Sequence, residues 1–226
     1  MNRFFVEDVS IDRIALPAAV AHQVSRVLRL RDGDEIMLLD NAGQQARCRL
    51  SGSACEVVER GDARGEPRHR LSICQALIKG DRLEEVVQHG TEIGVAEFRL
   101  FVSERCVVRE LSERRVERLR TIAREAAEQS ERGRIPAVGE PVAFDEVAAP
   151  GAVLLFERHA GARLSQLEQP AASLIIGPEG GFSPAEVATA RQRGVVLASL
   201  GPRILRSESV ALAAAAVVLS GSGDFA

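Results

Sequence analysis

The sequence predicts an α/β domain built on a parallel sheet, preceded by a smaller β-rich domain. Three observations carry this. The segments AVLLF (152–156), SLIIG (173–177) and VVLASL (195–200) are near-continuous apolar runs, the pattern of parallel strands buried on both faces. After residue 70, strand and helix patterns alternate in the order β-α-β-α-β-β-α-β-α. Before it, strand-length runs follow one another across short turns. At about 150 residues per domain, a chain of 226 holds one large domain or two unequal ones.

The elements follow in order. EIMLLD (35–40) and QARCRL (45–50) are strands joined by Asn-Ala-Gly-Gln, a hairpin loop, and ACEVVER (54–60) is a third strand. GDARGEPRHR (61–70) is polar and carries Gly and Pro, so the domain boundary is placed there, giving domains 1–70 and 71–226. LSICQAL (71–77) is a strand, and residues 81–94 form a helix that Gly94 can end. FRLFV (98–102) is the next strand. Residues 112–130 form a long helix with Val116, Leu119, Ile122, Ala123, Ala126 and Ala127 on one face. Ser183-Pro184-Ala185-Glu186 has capping-box spacing with proline at the first helical position, and Gly194 can end that helix. The last helix, from about Ser207 to Leu219, is apolar nearly all round, which implies a core or an interface.

Composition narrows the function. The longest apolar run, Val210 to Leu219, is about half of what a membrane span needs, and MNRFFVEDVS lacks the pattern of a secretory signal. A soluble, cytoplasmic protein is expected, with no membrane partner. Cys48, Cys55, Cys74 and Cys106 form no CxxC pair, and the four histidines are scattered, so no metal is expected. A net charge of −3 argues against indiscriminate coating of nucleic acid. Its distribution is uneven. Four arginines and no acid lie between Arg13 and Arg31, ten arginines against seven glutamates between Arg99 and Arg134, and Lys79 is the single lysine.

Two segments follow buried strands, where open α/β sheets bind ligands. Gly177-Pro178-Glu179-Gly180-Gly181-Phe182-Ser183 has three glycines that let the backbone approach a ligand, ahead of a helix N-terminus. It is neither G-x-G-x-x-G nor a P-loop, and taken alone it reads as a tight turn. Leu200-Gly201-Pro202-Arg203-Ile204-Leu205-Arg206-Ser207-Glu208-Ser209 sets two arginines and a glutamate at the mouth of an apolar helix. Such charge needs a partner, either a ligand or a local ion pair with a serine cap.

Together, LIIGPEGGFSPAE and LGPRILRSES resemble the signature of the knotted SPOUT methyltransferases, and in particular the RsmE family, which methylates N3 of a uridine in small-subunit (16S) ribosomal RNA. Arg3-Phe4-Phe5 and HQVSRVLR (22–29) resemble that family's N-terminal RNA-binding domain. Lys79, Glu92-Ile93-Gly94-Val95 and the stretch Glu125 to Arg132 resemble its central motifs. The chain departs from the family's Arg-Thr-Glu-Thr-Ala with Arg206-Ser207-Glu208-Ser209-Val210, which keeps both hydroxyls and adds bulk at Val210.

The resemblance implies a C-terminal trefoil knot, against the rule that chains do not knot, and a PUA-like β-barrel in front of it. It implies S-adenosylmethionine bound by Leu155, Phe156 and Glu157, by Gly177 to Gly181 (Gly177, Glu179, Gly180 and Gly181), and by Leu200, Gly201, Ile204 and Leu205. It implies a homodimer with shared active sites. Uracil N3 must lose its proton, and the charge that develops spreads to O2 and O4, where a guanidinium stabilises it. Arg206 is the first candidate and Arg203 the second, with Glu208 positioning them or taking the proton. Arg3, Arg26 and Arg29 are expected to hold RNA phosphates, in 16S rRNA within the small subunit. Two alternatives stay open: another acceptor such as a ribose 2′-oxygen, and a non-catalytic RNA-binding assembly factor.

Overall fold

The computed structural model describes residues 1–155, 162–167 and 170–225. Contacts divide the chain into two units, residues 1–66 with 127–135, and residues 67–126 with 136–226.

The first unit holds β1 (Arg3–Phe5), β2 (Arg13–Ala15), α1 (Ala18–His22), a π-helical turn at Gln23–Val27, β3 (Glu35–Leu39), β4 (Gln44–Ser51) and β5 (Ala54–Asp62). They form a sheet in the order β1-β3-β4-β5-β2, antiparallel except where β1 pairs β3. The β3–β4 hairpin expected from sequence is present. The Asp40 carboxylate closes its turn by accepting from the Ala42 and Gln44 amides at 2.7 and 2.9 Å, and Asn41 and Gly43 take left-handed φ of 60° and 108°. Strand alternation sorts the side chains. Phe4, Ile36, Leu38, Cys48 and Leu50 fill one core cluster, while Phe5 and Leu39 turn the other way and meet Ala127.

Residues 127–135 belong to this unit through specific bonds. Arg132, only 2% exposed, holds Glu66 in a bidentate pair at 3.2 and 2.9 Å, and the Glu128 carboxylate accepts from the Phe5 amide at 3.2 Å. No pattern in the sequence announced this return.

The second unit begins with β6 (Ser72–Ala76), α2 (Arg82–Ile93), β7 (Glu97–Val102) and α3 (Glu113–Gln129), whose last three residues fall in the first unit. It continues with β8 (Ala137–Val138), β9 (Val142–Ala143), α4 (Phe144–Val147), β10 (Ala152–Leu155), β11 (Ala162–Arg163) and a short 3-10 turn at Leu164–Gln166. β12 (Ser173–Ile176), α5 (Pro184–Gln192), β13 (Val196–Ser199) and α6 (Ser207–Gly221) complete it. The sheet order is β11-β13-β10-β12-β6-β7-β8, with β9 also on β7, and every pairing is parallel. The expected α/β class with a parallel sheet is therefore correct. Ile73, Leu154, Leu174 and Ile175 are fully buried, which is why these strands read as runs rather than alternations. Gly94 ends α2 at φ 115° and Gly194 follows α5 at φ 76°, conformations that favour glycine at helix ends.

Parallel pairing puts the C-terminal ends of β6, β7, β10, β12 and β13 on one edge of the sheet. Both motif loops leave from that edge. Among the described residues no helix is long and apolar enough to cross a membrane.

Candidate active site

The loop after β12 is fixed by its own helix cap. Ser183 Oγ accepts from the Glu186 amide at 3.2 Å, and Glu186 Oε2 accepts from the Ser183 amide at 2.8 Å, the reciprocal box expected from sequence. Glu186 Oε1 also accepts from the Glu104 amide at 2.9 Å, which ties the cap to the loop after β7. The three glycines act differently. A Cβ on Gly177 would meet the Phe182 ring at 2.9 Å, so the loop closes tightly over that ring. Gly181 needs its left-handed φ of 66°. Gly180 lies against Arg105, whose Nη1 donates to the Gly180 carbonyl at 3.0 Å, and a Cβ there would sit 3.2 Å from Arg105 Cβ.

The loop after β13 is open. Gly201 has φ 111°, and a Cβ there would meet nothing within 4 Å. Arg203, Ile204, Leu205 and Arg206 are exposed, Ile204 to 79%. Arg206 is the N-cap of α6 with extended backbone, and its side chain caps nothing. Neither Arg203 nor Arg206 makes an ion pair among the described residues.

Glu208 turns inward. It is 8% exposed, and its Oε1 lies 3.7 Å from Arg82 Nε at the start of α2. Arg82 Nη1 reaches Glu179 Oε1 at 3.4 Å, and the Lys79 amide donates to the same oxygen at 3.2 Å. Arg82 therefore stands between a carboxylate of each motif loop. A local pair between Glu208 and its own loop's arginines was one expectation, and Arg82 takes that place. The cause is local: the extended Arg206 sends its side chain outward, while Glu208 sits in the first buried turn, where the helix N-terminus favours a carboxylate. Glu208 Oε2 is buried with no partner among the described residues.

A hydrogen-bonded chain joins the two loops to the sheet. Gln75 Nε2 donates to Ser207 Oγ at 2.9 Å, and Ser207 Oγ donates to the Gly177 carbonyl at 2.7 Å. Gln75 is fully buried, and its Oε1 has no partner among the described residues. Val210, bulkier than the family's alanine, lies half-buried on α6.

The fold thus brings Gly177, Glu179, Gly180, Gly181 and Glu208 together through Gln75, Arg82, Arg105 and Ser207. Leu155 ends β10 buried, and Leu200 follows β13 half-buried. Phe156 and Glu157 lie outside the described residues. Arg3, Arg26 and Arg29 are in the first unit. Arg3 is engaged, with Nη1 on Gln45 at 3.0 Å and Nη2 on Glu131 at 2.8 Å, whereas Arg26 and Arg29 are exposed on the π-helical turn and just after it. Arg29 takes φ 56°, uncommon for a residue with a side chain.

Gln75, Arg82 and Arg105 were not singled out from sequence. A glutamine inside the apolar run LSICQAL was a usable signal for the first, and nothing local marked the other two. Among the described residues, no three or more His, Cys, Asp or Glu side chains cluster as a metal site.

Residues 65–219 match the model of a family described as an RNA methyltransferase domain. The chain is 31% identical to the ribosomal RNA small subunit methyltransferase E of Bacillus subtilis over 96% of each chain. It belongs to the ribosomal RNA small subunit methyltransferase E family. To the Mycobacterium bovis methyltransferase E it is 33% identical over 85% of this chain and 80% of that one. Among solved structures, a methyltransferase E from Neisseria gonorrhoeae bound to S-adenosyl methionine superposes with a TM-score of 0.89, at 27% identity over 97% of both chains. The family recognised from the two motif loops is therefore the family of the whole chain.

Proposed function

We propose that this chain methylates N3 of a uridine in 16S ribosomal RNA, using S-adenosylmethionine, within the small ribosomal subunit. One observation carries the reading: a buried carboxylate oxygen, Glu208 Oε2, lies two residues from the exposed Arg206, and among the described residues the oxygen has no partner and the arginine no ion pair. A proton acceptor and a cation for a developing anion are what deprotonation of uracil N3 requires. The relatives named above act on small-subunit ribosomal RNA, which supports the same substrate here.

The residues fit the cofactor. Gly201 leaves open space where a side chain would stand, and Gln75 Oε1 is a buried acceptor without a partner among the described residues. The relative bound to S-adenosyl methionine supports the same ligand for this chain. Leu155, Phe156, Gly177, Glu179, Gly180, Gly181, Leu200, Gly201, Ile204 and Leu205 are the residues proposed to hold it. When bound, S-adenosylmethionine supplies an activated methyl group on its sulfonium. Glu208 takes the N3 proton. Arg206 holds the uracil oxygens as their charge grows, with Arg203 as its neighbour in reserve. Arg82 keeps Glu208 in place.

The N-terminal domain, 1–70, is proposed as a PUA-like barrel that holds RNA phosphates through Arg3, Arg26 and Arg29. The domain 71–226 is proposed as the knotted methyltransferase. The chain leaves β12 and passes β10 to lay β13 on its far side, a return that supports a knot. A homodimer is supported by α6, where Val210, Leu212, Ala213, Ala216 and Val217 are only half-buried within one chain. A cytoplasmic enzyme is the reading consistent with a ribosomal substrate.

The test uses labelled S-adenosylmethionine and small subunits from a strain lacking this gene. Label should enter the ribosomal RNA. A protein that binds subunits and transfers no label is an assembly factor, and the reading fails.

A further inference from the structure

The first unit carries a cleft of about 570 Å³ on its sheet, away from the two motif loops in sequence. That volume lies within the range of sites that take a small ligand or one nucleotide. Its walls include Arg3, Arg47, Arg60 and Arg64, together with Met37, Gly61 and three carboxylates.

The arginines are not equivalent. Arg47 is paired with Glu35 at 2.8 Å and Glu59 at 3.0 Å, Arg60 with Asp12 at 2.9 Å, and Arg3 with Glu131 at 2.8 Å. Arg64 is exposed and has no ion pair or hydrogen bond among the described residues, so it is the cation free for an incoming anion. Arg3 Nε is buried and has no acceptor among the described residues, which leaves its guanidinium one bond short in the wall of the cleft.

The carboxylates decide what else the ligand must offer. Glu59, Asp62 and Glu131 line the same cleft, and each gives one oxygen to a protein donor, Glu59 to Arg47, Asp62 to Gln44 and Glu131 to Arg3. Their other oxygens face a run of phosphates unfavourably and amino groups favourably. Met37 adds a polarisable apolar surface suited to the flat face of a base.

We infer that this cleft binds one unpaired RNA nucleotide whose base carries an exocyclic amine, its phosphate on Arg64 and its amine on the cleft carboxylates. Uracil has no exocyclic amine, so the occupant is a neighbour of the methylated uridine and not that uridine itself. The cleft thus selects the sequence around the target. This rests on the ribosomal RNA substrate proposed above.

The test measures fluorescence anisotropy of the full-length protein with two labelled single-stranded RNA dodecamers, one all uridine and one carrying a single central guanosine. The guanosine strand should bind about tenfold more tightly, the scale of one good base contact. Gly61→Trp places an indole in the cleft without altering charge, and its Cβ meets nothing within 4 Å, so the substitution starts without a backbone clash. This variant should erase the preference. Arg64→Glu should weaken both strands and lower the salt dependence by about one phosphate. Thermal melts check each variant, and Arg64→Glu decides alone if Gly61→Trp does not fold. Equal affinity for the two strands, or a preference that survives a folded Gly61→Trp, overturns the cleft. If Gly61→Trp is unfolded, unchanged affinity in Arg64→Glu overturns it. Label transfer by the wild-type protein is read separately, so a failed cleft and a failed methyltransferase give different results.

Discussion

Ser207 Oγ donates to the Gly177 carbonyl at 2.7 Å, joining the start of α6 to the loop after β12. It can do so because Gln75 Nε2 supplies the hydroxyl with a donor at 2.9 Å, leaving the Ser207 proton for Gly177. One hydroxyl therefore sets the spacing of both motif loops.

Ser207→Ala should weaken S-adenosylmethionine binding about tenfold, since it leaves the Gly177 carbonyl and one N–H of the Gln75 amide, whose other bond goes to the Ala76 carbonyl, unsatisfied at ~1–3 kcal/mol for a buried group. Ser207→Thr, the residue the family resemblance leads one to expect here, should restore affinity. Calorimetric titration of the three proteins reads the difference.

Arg206→Lys should lower the single-turnover methylation rate by roughly 10²–10³, or ~3–4 kcal/mol, with cofactor affinity and melting temperature nearly unchanged. Lysine keeps the charge and loses the planar fork. A near wild-type rate removes Arg206 from the mechanism and puts Arg203 in its place.

Gly201→Val should cost about 1–3 kcal/mol, because a β-branched residue is strained at φ 111°. No atom lies within 4 Å of the new Cβ, so overpacking does not contribute. Cofactor affinity should fall further than the melting curve alone implies. Equal affinity in a folded variant means that this loop does not touch the cofactor.

Arg132→Ala should destabilise the protein by about 3 kcal/mol, since it strips the bidentate partner from Glu66. Glu66 is 25% exposed, which holds the loss toward the lower end for a buried pair. Arg132→Lys should recover only part of it. Urea denaturation gives both values.

Burial pushes the Cys74 thiol up to about 11. At pH 8 it is protonated and inert, so a thiol reagent should label it only at the rate of unfolding, and raising the pH to 9 should not expose a thiolate in the native state. Fast labelling of Cys74 in native protein would contradict the packing of β6.

The parts legible in sequence were those with local causes. SLIIG reads as a strand because both its faces are buried, and the Ser183 box reads as a helix start because its two bonds span three residues. The strands β8 and β9 have two residues each, too few for any period to register. The return of residues 127–135 depends on Arg132 finding Glu66, a partner that no spacing rule links to it. The same holds at the candidate site. Gln75 was conspicuous as a glutamine among apolar neighbours, yet its partner Ser207 lies 132 residues away. Arg82 shows no anomaly in its own helix, and only the parallel sheet brings it between Glu179 and Glu208.

The most direct test of the central claim is the identity of the methylated nucleoside. Small subunits lacking the modification are treated with the protein and S-adenosylmethionine, and the ribosomal RNA is digested and resolved by mass spectrometry. The account predicts 3-methyluridine as the single new product, lost in Glu208→Gln. A methyl group on a ribose 2′-oxygen, or full yield of 3-methyluridine from Glu208→Gln, would contradict it.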